Sequence, residues 1–160
     1  MSNPSIYRTI WRWHFYAGLF VIPFVIVLAF SGTFFLFKPQ IERWEERSFQ
    51  QLPSVNGVTA GRQVEAALAA FPGASFHSYR LPERQGDAAM VHVALPGPGA
   101  MRDVFVSPQG AVLGSFDTEW RVMAIIHRIH GQLLLGTRGS WLVELASSWA
   151  IVMLVTGLYL

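Results

Sequence analysis

Two long apolar blocks lie near opposite ends of the chain, with a more polar segment between them. The first block, residues 15–37, has the sequence FYAGLFVIPFVIVLAFSGTFFLF and contains no charged side chain. About 23 apolar residues cross a hydrocarbon core of about 30 Å with some tilt. The block is too long for a signal peptide and no A-x-A cleavage site follows it, so we predict a retained transmembrane helix.

A second apolar block, residues 140–160, predicts another transmembrane helix with one acidic residue, Glu144, near its start. The preceding segment, residues 118–135, is mostly apolar but carries two arginines and two histidines. Because this segment is too short and too polar to span a membrane, we predict an interfacial helix there. The chain stops within apolar sequence, and we expect it to be the N-terminal part of a longer protein with further helices.

Turn-forming and charged residues in the middle of the chain predict a small domain outside the membrane. Residues 38–56 begin as a helical extension and end in a linker that Pro53 and Asn56 interrupt. Residues 57–116 are predicted as an α+β domain, with one helix followed by an antiparallel meander. At about 60 residues the domain is small for independent stability. The predicted strands lie at about 75–81, 88–95, 102–107 and 111–115.

The predicted fold class is therefore a membrane α-helical protein with an inserted small α+β domain, two spanning helices and one interfacial helix. Basic residues flank both ends of the first span, so the positive-inside rule decides its orientation only weakly. The short N-terminal arm favours a cytoplasmic N-terminus, which places the middle domain outside the cytoplasm. In order, the predicted segments are the cytoplasmic arm (1–14), the first transmembrane helix (15–37), the extension and linker (38–56), the α+β domain (57–116), the interfacial helix (118–135) and the second transmembrane helix (140–160).

Composition limits the chemistry that the chain can perform. Only 14% of the residues are charged, against about 25% in soluble domains. The formal net charge is +2 without a long basic run, which argues against a nucleic-acid partner. The absence of cysteine excludes disulfides, thiolate zinc sites, iron–sulfur clusters and the covalent attachment of c-type haem. A metal site would have to use histidine, carboxylate or methionine.

Three of the five histidines lie in or beside the predicted membrane segments, where ionisable side chains generally indicate function. His14 lies where the first span begins, and His127 and His130 share one face of the interfacial helix. Gly18 is one turn from His14 and Gly131 follows His130, so small residues leave space beside both rings. The pattern is compatible with ligation of haem iron by imidazole. It is equally compatible with interfacial anchoring or with helix packing.

These histidines are too far apart to bind one iron. At about 1.5 Å per residue, the first helix separates His14 from the far interface by roughly 33 Å. His127 and His130 belong to that far side, so haem binding would require two sites, one near each membrane face. The other two histidines, His77 and His92, lie on predicted strands, and we interpret them as ordinary strand residues.

Three segments carry a resemblance to a known family. They are IYRTIWRWHFYAGLFVIPFVIVLAFSGTFFLF, VFVSPQGAVLGSFD and IHGQLLLGTRGSWLVELASSWAIVMLVTGLYL. The first and last resemble the two membrane blocks of PepSY-associated transmembrane proteins, including an H-x-x-L-L-L-G opening of the second block. The middle segment resembles the final hairpin of a PepSY repeat, with Ser107 where aspartate is common. The resemblance covers nearly the whole chain.

The resemblance implies an iron-regulated inner-membrane protein of a Gram-negative bacterium. Some members are similar to siderophore reductases that hold two b-type haems between four helices. By this resemblance, His14 and His130 are ligands of haem iron, and His127 is an additional haem-binding candidate. The implied function is electron transfer through haem b, from an unknown cytoplasmic or quinone donor to a ferric siderophore in the periplasm.

Two alternatives remain open from the sequence. In the first alternative, the PepSY-like domain is a regulatory or binding module, and the helices only anchor it in the membrane. In the other, the chain is a structural membrane subunit without chemistry of its own. The expected partners are the lipid bilayer, a ferric siderophore, an electron donor, and either further helices or other copies of the protein.

Overall fold

The computed structural model describes residues 4–53 and 56–160, which form two compact units. One unit combines the chain up to Lys38 with Ile125–Leu160, and the other is Pro39–Ala124. In chain order the helices and strands are α1 (Pro4–Leu36), α2 (Lys38–Glu45), α3 (Ala60–Ala70), β1 (Ser75–Arg80), β2 (Ala89–Ala94), β3 (Met101–Val106), β4 (Val112–Asp117), α4 (Val122–Gln132) and α5 (Thr137–Tyr159), with short 3-10 turns at Arg47–Phe49 and Thr118–Trp120.

The first membrane helix, α1, begins at Pro4 instead of the predicted residue 15. Hydrophobicity marks the edge of the lipid, but a helix continues past that edge until a residue that breaks or caps it. Proline is favoured at the first helical position, and neither glycine nor a second proline occurs before Phe15. The described part of the predicted arm is therefore helical. Pro23 lies inside α1 without ending it, as transmembrane helices tolerate.

The two membrane helices, α1 and α5, pack antiparallel to each other. His14 contacts Thr156, whereas Phe20 further along α1 contacts Trp149, with ring centroids 6.2 Å apart. In the described residues these are the two helices long and apolar enough to cross a membrane, and only 11% of the apolar window of each is buried within the chain. That exposure suits lipid-facing helices and not the core of a soluble protein. The α5 helix begins at Thr137, slightly before the predicted residue 140.

The other unit is built on one antiparallel sheet of four strands in the order β1-β2-β3-β4. Helix α3 covers one face of the sheet through Ala67, which is fully buried with four valines. Those valines alternate along the two central strands because successive side chains of a strand point to opposite faces; they are Val91, Val93, Val104 and Val106. The strands lie close to their predicted positions. Two spanning helices around a small α+β domain confirm the predicted fold class.

The opposite face of the sheet contacts the segment at 38–56, which we predicted to begin as a helical extension and to end in a linker. Phe49 stacks on Phe105 with ring centroids 4.3 Å apart, and it also contacts Phe116. A Cβ on Gly114 would lie 3.1 Å from the Phe49 ring, so this glycine makes room for the stack. The compact unit Pro39–Ala124 is therefore longer than the predicted domain at 57–116. Phe49 lies at the end of a short 3-10 turn, which gave no periodic signal in the sequence.

The predicted interfacial helix at 118–135 is interrupted in the structure. A 3-10 turn ends at Trp120, Arg121 adopts an extended backbone, and α4 covers only Val122–Gln132. The physical reason is the side chain of Arg121, which enters the protein interior to reach three carboxylates. Beyond α4, Leu133 and Leu134 both adopt positive φ angles, which end the helix before α5 begins.

Candidate functional site

His14 lies on the face of α1 that packs against the C-terminal part of α5. Its Nδ1 atom is 3.0 Å from the hydroxyl oxygen of Thr156. A Cβ on the next residue, Gly157, would lie 3.2 Å from Cε1 of His14. The missing side chain at Gly157 therefore allows the imidazole to lie close against α5, where the hydroxyl of the preceding residue can reach it.

His130, near the end of α4, is held in the same way by α1. Its Nδ1 atom is 3.0 Å from the hydroxyl oxygen of Ser31, which is almost fully buried. A Cβ on Gly32 would lie 3.4 Å from Cε1 of His130. The ring of Phe35, one turn further along α1, meets the imidazole edge-on with centroids 5.4 Å apart.

The two sites share one construction, in which a hydroxyl residue followed by glycine faces a histidine. Both hydroxyls also donate within their own helices. Ser31 Oγ lies 2.7 Å from the carbonyl oxygen of Val27, and Thr156 Oγ1 lies 2.7 Å from that of Val152. Ser31 follows His14 by 17 residues on α1, which corresponds to about 25 Å along the helix. The two imidazoles therefore occupy separate positions along the membrane unit.

An apolar groove of about 480 Å³ lies beside His14. Cofactor and small-molecule sites commonly have such volumes and such apolar linings. Met153 also lines the groove, and its thioether is a known type of axial haem ligand. Nε2 of His14 has no hydrogen-bond partner within the described residues, so its position suits a ligand atom. The residues present here fit an apolar planar group that an imidazole nitrogen ligates.

The glycines that we singled out from the sequence have different neighbours from those expected. Gly18 was predicted to leave space beside His14, but a Cβ there would lie 3.5 Å from Cε of Met153. Gly18 therefore accommodates a side chain of α5. A Cβ on Gly131 would meet no atom within 4 Å among the described residues, so open space does adjoin that residue. Gly32 and Gly157, whose missing side chains make room for the imidazoles, were not identified from the sequence.

His127 differs from His130 although both lie on α4. Its side chain is exposed, and its ring meets Phe35 edge-on with centroids 6.3 Å apart. No hydrogen bond to its ring occurs within the described residues. The helical spacing does place both histidines beside Phe35, but only His130 is joined to a hydroxyl group. The roles of His14, His127 and His130 as haem-binding residues remain predictions.

The unit Pro39–Ala124 contains a buried charge cluster that sequence reasoning missed. Arg121 is 8% exposed, and its guanidinium contacts Asp103 at 2.9 Å, Glu45 at 3.1 Å and Glu46 at 2.5 Å. Arg80 also pairs with Glu46. We refer to these five residues as the Arg121 cluster. The four residues that join Arg121 in this cluster come from α2, its C-terminal flank, β1 and β3, so no local spacing could reveal them.

Burial alone would lower the pKa of Arg121, but hydrogen bonds and charges from Glu46 and Asp103 outweigh it and raise that pKa. The guanidinium therefore stays charged and balances buried carboxylates. Glu45 also accepts the backbone N–H of Val122 at 2.9 Å, which caps the start of α4. The cluster thus joins a segment near the start of this unit, at Glu45 and Glu46, to a segment near its end, at Arg121.

The two strand histidines have different surroundings. His92 Nδ1 lies 2.6 Å from Asp103 Oδ1, so it adjoins the Arg121 cluster and is more than a plain strand residue. His77 is exposed on β1 at a register shift between Phe76 and Ser78. Within the described residues, no group of three or more histidine, aspartate or glutamate side chains could hold a metal ion.

Comparison with known proteins identifies the family. No match was found among curated proteins. A family model described as the PepSY-associated TM region matches residues 11–160, which include most of α1, all of α5 and the whole unit Pro39–Ala124. Together with the two exposed apolar helices, the match identifies a membrane protein. The chain therefore belongs to the family of proteins with a PepSY-associated transmembrane region.

Proposed function

We propose that this protein binds haem b and transfers electrons across the bacterial inner membrane to reduce a ferric siderophore in the periplasm. The observation that supports this most directly is the matched construction around His14 and His130, each held against a helix by a hydroxyl and a glycine. Sites about 25 Å apart along one membrane helix suit electron transfer through a bilayer, whose hydrocarbon core is about 30 Å thick.

The proposal includes an orientation. With the N-terminus in the cytoplasm, His14 lies near the cytoplasmic face and His130 near the periplasmic face. The unit Pro39–Ala124 then lies in the periplasm, where a ferric siderophore would arrive. The electron donor, either a cytoplasmic protein or a membrane quinone, would act at the end that contains His14.

The side chains of this chain would hold and shield the cofactor. His14 and His130 would each present Nε2 to iron, while the hydroxyls of Thr156 and Ser31 hold the opposite ring nitrogens. The apolar lining beside His14 would exclude water. Haem would supply reversible one-electron chemistry at a potential set by its axial ligands and burial. His127, exposed and without a hydroxyl partner in the described residues, would not be a ligand.

The first test is spectroscopic. Protein purified from cells supplied with haem should show the absorption bands of b-type haem with two haems per chain. We expect His14→Ala and His130→Ala each to lose one haem, because each removes one ligand, whereas His77→Ala should lose none. Elution volume and circular dichroism establish that each variant is folded. Wild-type haem content in both membrane variants would refute the assignment, and a colourless wild type would favour a PepSY binding module anchored in the membrane.

The second test addresses the substrate. Chemically reduced protein is mixed with a ferric siderophore without oxygen, and the haem absorption is followed. We expect the spectrum of oxidised haem to return as the iron is reduced, and an iron-free siderophore should produce no change. If the reduced spectrum persists with the ferric chelate, the protein transfers electrons to a different acceptor and the siderophore proposal fails.

A further inference from the structure

We propose that Ser31 and Thr156 are positioning residues that keep His130 and His14 in the tautomer with a proton on Nδ1. This leaves the lone pair of Nε2 free at both sites. The assignment of the tautomer follows from the hydrogen bonds alone. Only the use of the lone pair as a haem ligand rests on the proposed function.

The argument begins with the single proton of a hydroxyl group. Thr156 Oγ1 lies 2.7 Å from the carbonyl oxygen of Val152, and Ser31 Oγ lies 2.7 Å from that of Val27. A carbonyl oxygen only accepts hydrogen bonds, so each hydroxyl must donate its proton there. If the proton pointed at the imidazole instead, two oxygen atoms with facing lone pairs would lie at hydrogen-bond distance with no proton between them.

The hydroxyl oxygen can then only accept from the imidazole. Each Nδ1 lies 3.0 Å from it, a normal distance for an N–H donor. A neutral imidazole carries one proton, so Nε2 has none and keeps its lone pair. Metal-bound histidines commonly have this arrangement, in which the second nitrogen donates to a fixed acceptor and sets both the tautomer and the ring orientation. The glycines make room for the rings in this position, because a Cβ on Gly32 or Gly157 would lie 3.4 or 3.2 Å from the Cε1 atom of the facing imidazole.

The same construction at two independent positions separates these histidines from His127. His127 lies on α4 beside His130, but within the described residues its ring has no hydroxyl partner. Nothing comparable therefore fixes its tautomer. We infer that His14 and His130 are prepared to bind a Lewis acid through Nε2 and that His127 is not.

The tautomers can be measured without any cofactor. The full protein, with ¹⁵N in its imidazole rings, is placed in detergent micelles at a pH where the histidines are neutral. Two-bond ¹⁵N–¹H correlations then identify which ring nitrogen carries the proton. We expect protons on Nδ1 of His14 and His130. Thr156→Val, which keeps the shape but removes the hydroxyl, should change the His14 pattern alone, and Thr156→Ser should restore it. Ser31→Ala should change His130 alone.

Two outcomes would overturn the positioning role. One is a proton on Nε2 of His14 and His130 in the wild type. The other is a His14 pattern that Thr156→Val leaves unchanged. The Thr156→Ser rescue distinguishes loss of the hydroxyl from general disruption of helix packing, since serine keeps the hydroxyl group of threonine but lacks its methyl group.

Haem binding is measured separately in a His130→Ala background, where only the His14 site remains. Loss of the hydroxyl by Thr156→Val should weaken haem binding about 10–100-fold, the usual effect of removing a partner of a metal-binding histidine. Equal affinities with and without the hydroxyl would refute its role in ligand binding. If the tautomers are as expected but the wild type binds no haem, the proposed function fails and the tautomer assignment stands.

Discussion

Replacing Arg121 by methionine would leave buried carboxylates without their central cation. Methionine keeps an unbranched apolar side chain but removes the contacts to Asp103 at 2.9 Å, Glu45 at 3.1 Å and Glu46 at 2.5 Å. The side chain of Asp103 is only 3% exposed, so water cannot replace the guanidinium there. Arg80 remains beside Glu46, which offsets part of the loss.

The expected loss of stability is large for one side chain. Breaking a buried ion pair by removing one partner costs about 3–5 kcal/mol, mostly because the remaining charge is desolvated without compensation. We expect the unit Pro39–Ala124 to lose about this much free energy of unfolding in Arg121→Met. With a urea slope of about 1–2 kcal/mol/M, the unfolding midpoint should fall by about 1.5–5 M.

The loss should also depend on pH. Buried carboxylates without a cation have a raised pKa in the folded variant, because desolvation disfavours their charged form. Protonation of these carboxyl groups then stabilises the folded variant. This stabilisation is complete below the unfolded carboxyl pKa of about 4, and it is lost as the pH rises through the raised pKa of the folded state. The difference between wild type and Arg121→Met should therefore be small near pH 4 and grow towards neutral pH.

Pulse proteolysis in urea measures this for the full protein in detergent. Cleavages within residues 39–124, identified by mass spectrometry, report the unfolding of this unit. Arg62→Met is the matched control, since Arg62 pairs with Glu65 on the surface with side chains 75% and 68% exposed. Such a pair contributes only about 0–1 kcal/mol. A midpoint in Arg121→Met no lower than in the control, or a difference that is the same at all pH values, would refute the reasoning.

Two other predictions concern packing. Gly157→Ala would place a Cβ 3.2 Å from Cε1 of His14; we expect the ring to shift, to lose its hydrogen bond to Thr156 and to bind haem less tightly. The control is Gly131→Ala, whose Cβ would meet no described atom within 4 Å and which should bind haem as the wild type does. Haem affinity is measured by absorption titration, and equal affinities of the two variants would show that a Cβ at residue 157 does not disturb His14. Phe49→Ala should destabilise the unit Pro39–Ala124 by about 3–5 kcal/mol by emptying the stack on Phe105. The urea midpoint measures this loss, and an unchanged midpoint would show that Phe49 is not part of the core.

The periodic parts of the fold could be predicted from the sequence. Long, mostly apolar blocks marked both membrane helices, and alternation with turn sequences marked the four strands. Their limits were less predictable. Helix α1 extends back to Pro4 because nothing before Phe15 breaks it, although hydrophobicity ends near the interface. Phe49, in a short 3-10 turn, joins the core through a stack that no sequence period predicts.

The Arg121 cluster shows why charged interiors are hard to foresee. Arg121 lies in a segment whose composition predicted an interfacial helix, and Glu45 and Glu46 lie where we predicted a helical extension leaving the membrane. Only the fold brings these groups together, because β3 supplies Asp103 between them. Each charge looks solvated in its own segment, and burial becomes favourable only once all the partners are present.

The partners of the membrane histidines were also hard to predict from the sequence. The three membrane histidines were identifiable as ionisable residues at membrane depth. Their partners were not, since Ser31-Gly32 and Thr156-Gly157 look like ordinary small-residue packing positions in transmembrane helices. What distinguishes them is pairing with an imidazole on another helix. A hydroxyl residue followed by glycine within a span, opposite a histidine at the same depth, therefore predicts a ring whose Nε2 is free to bind a ligand.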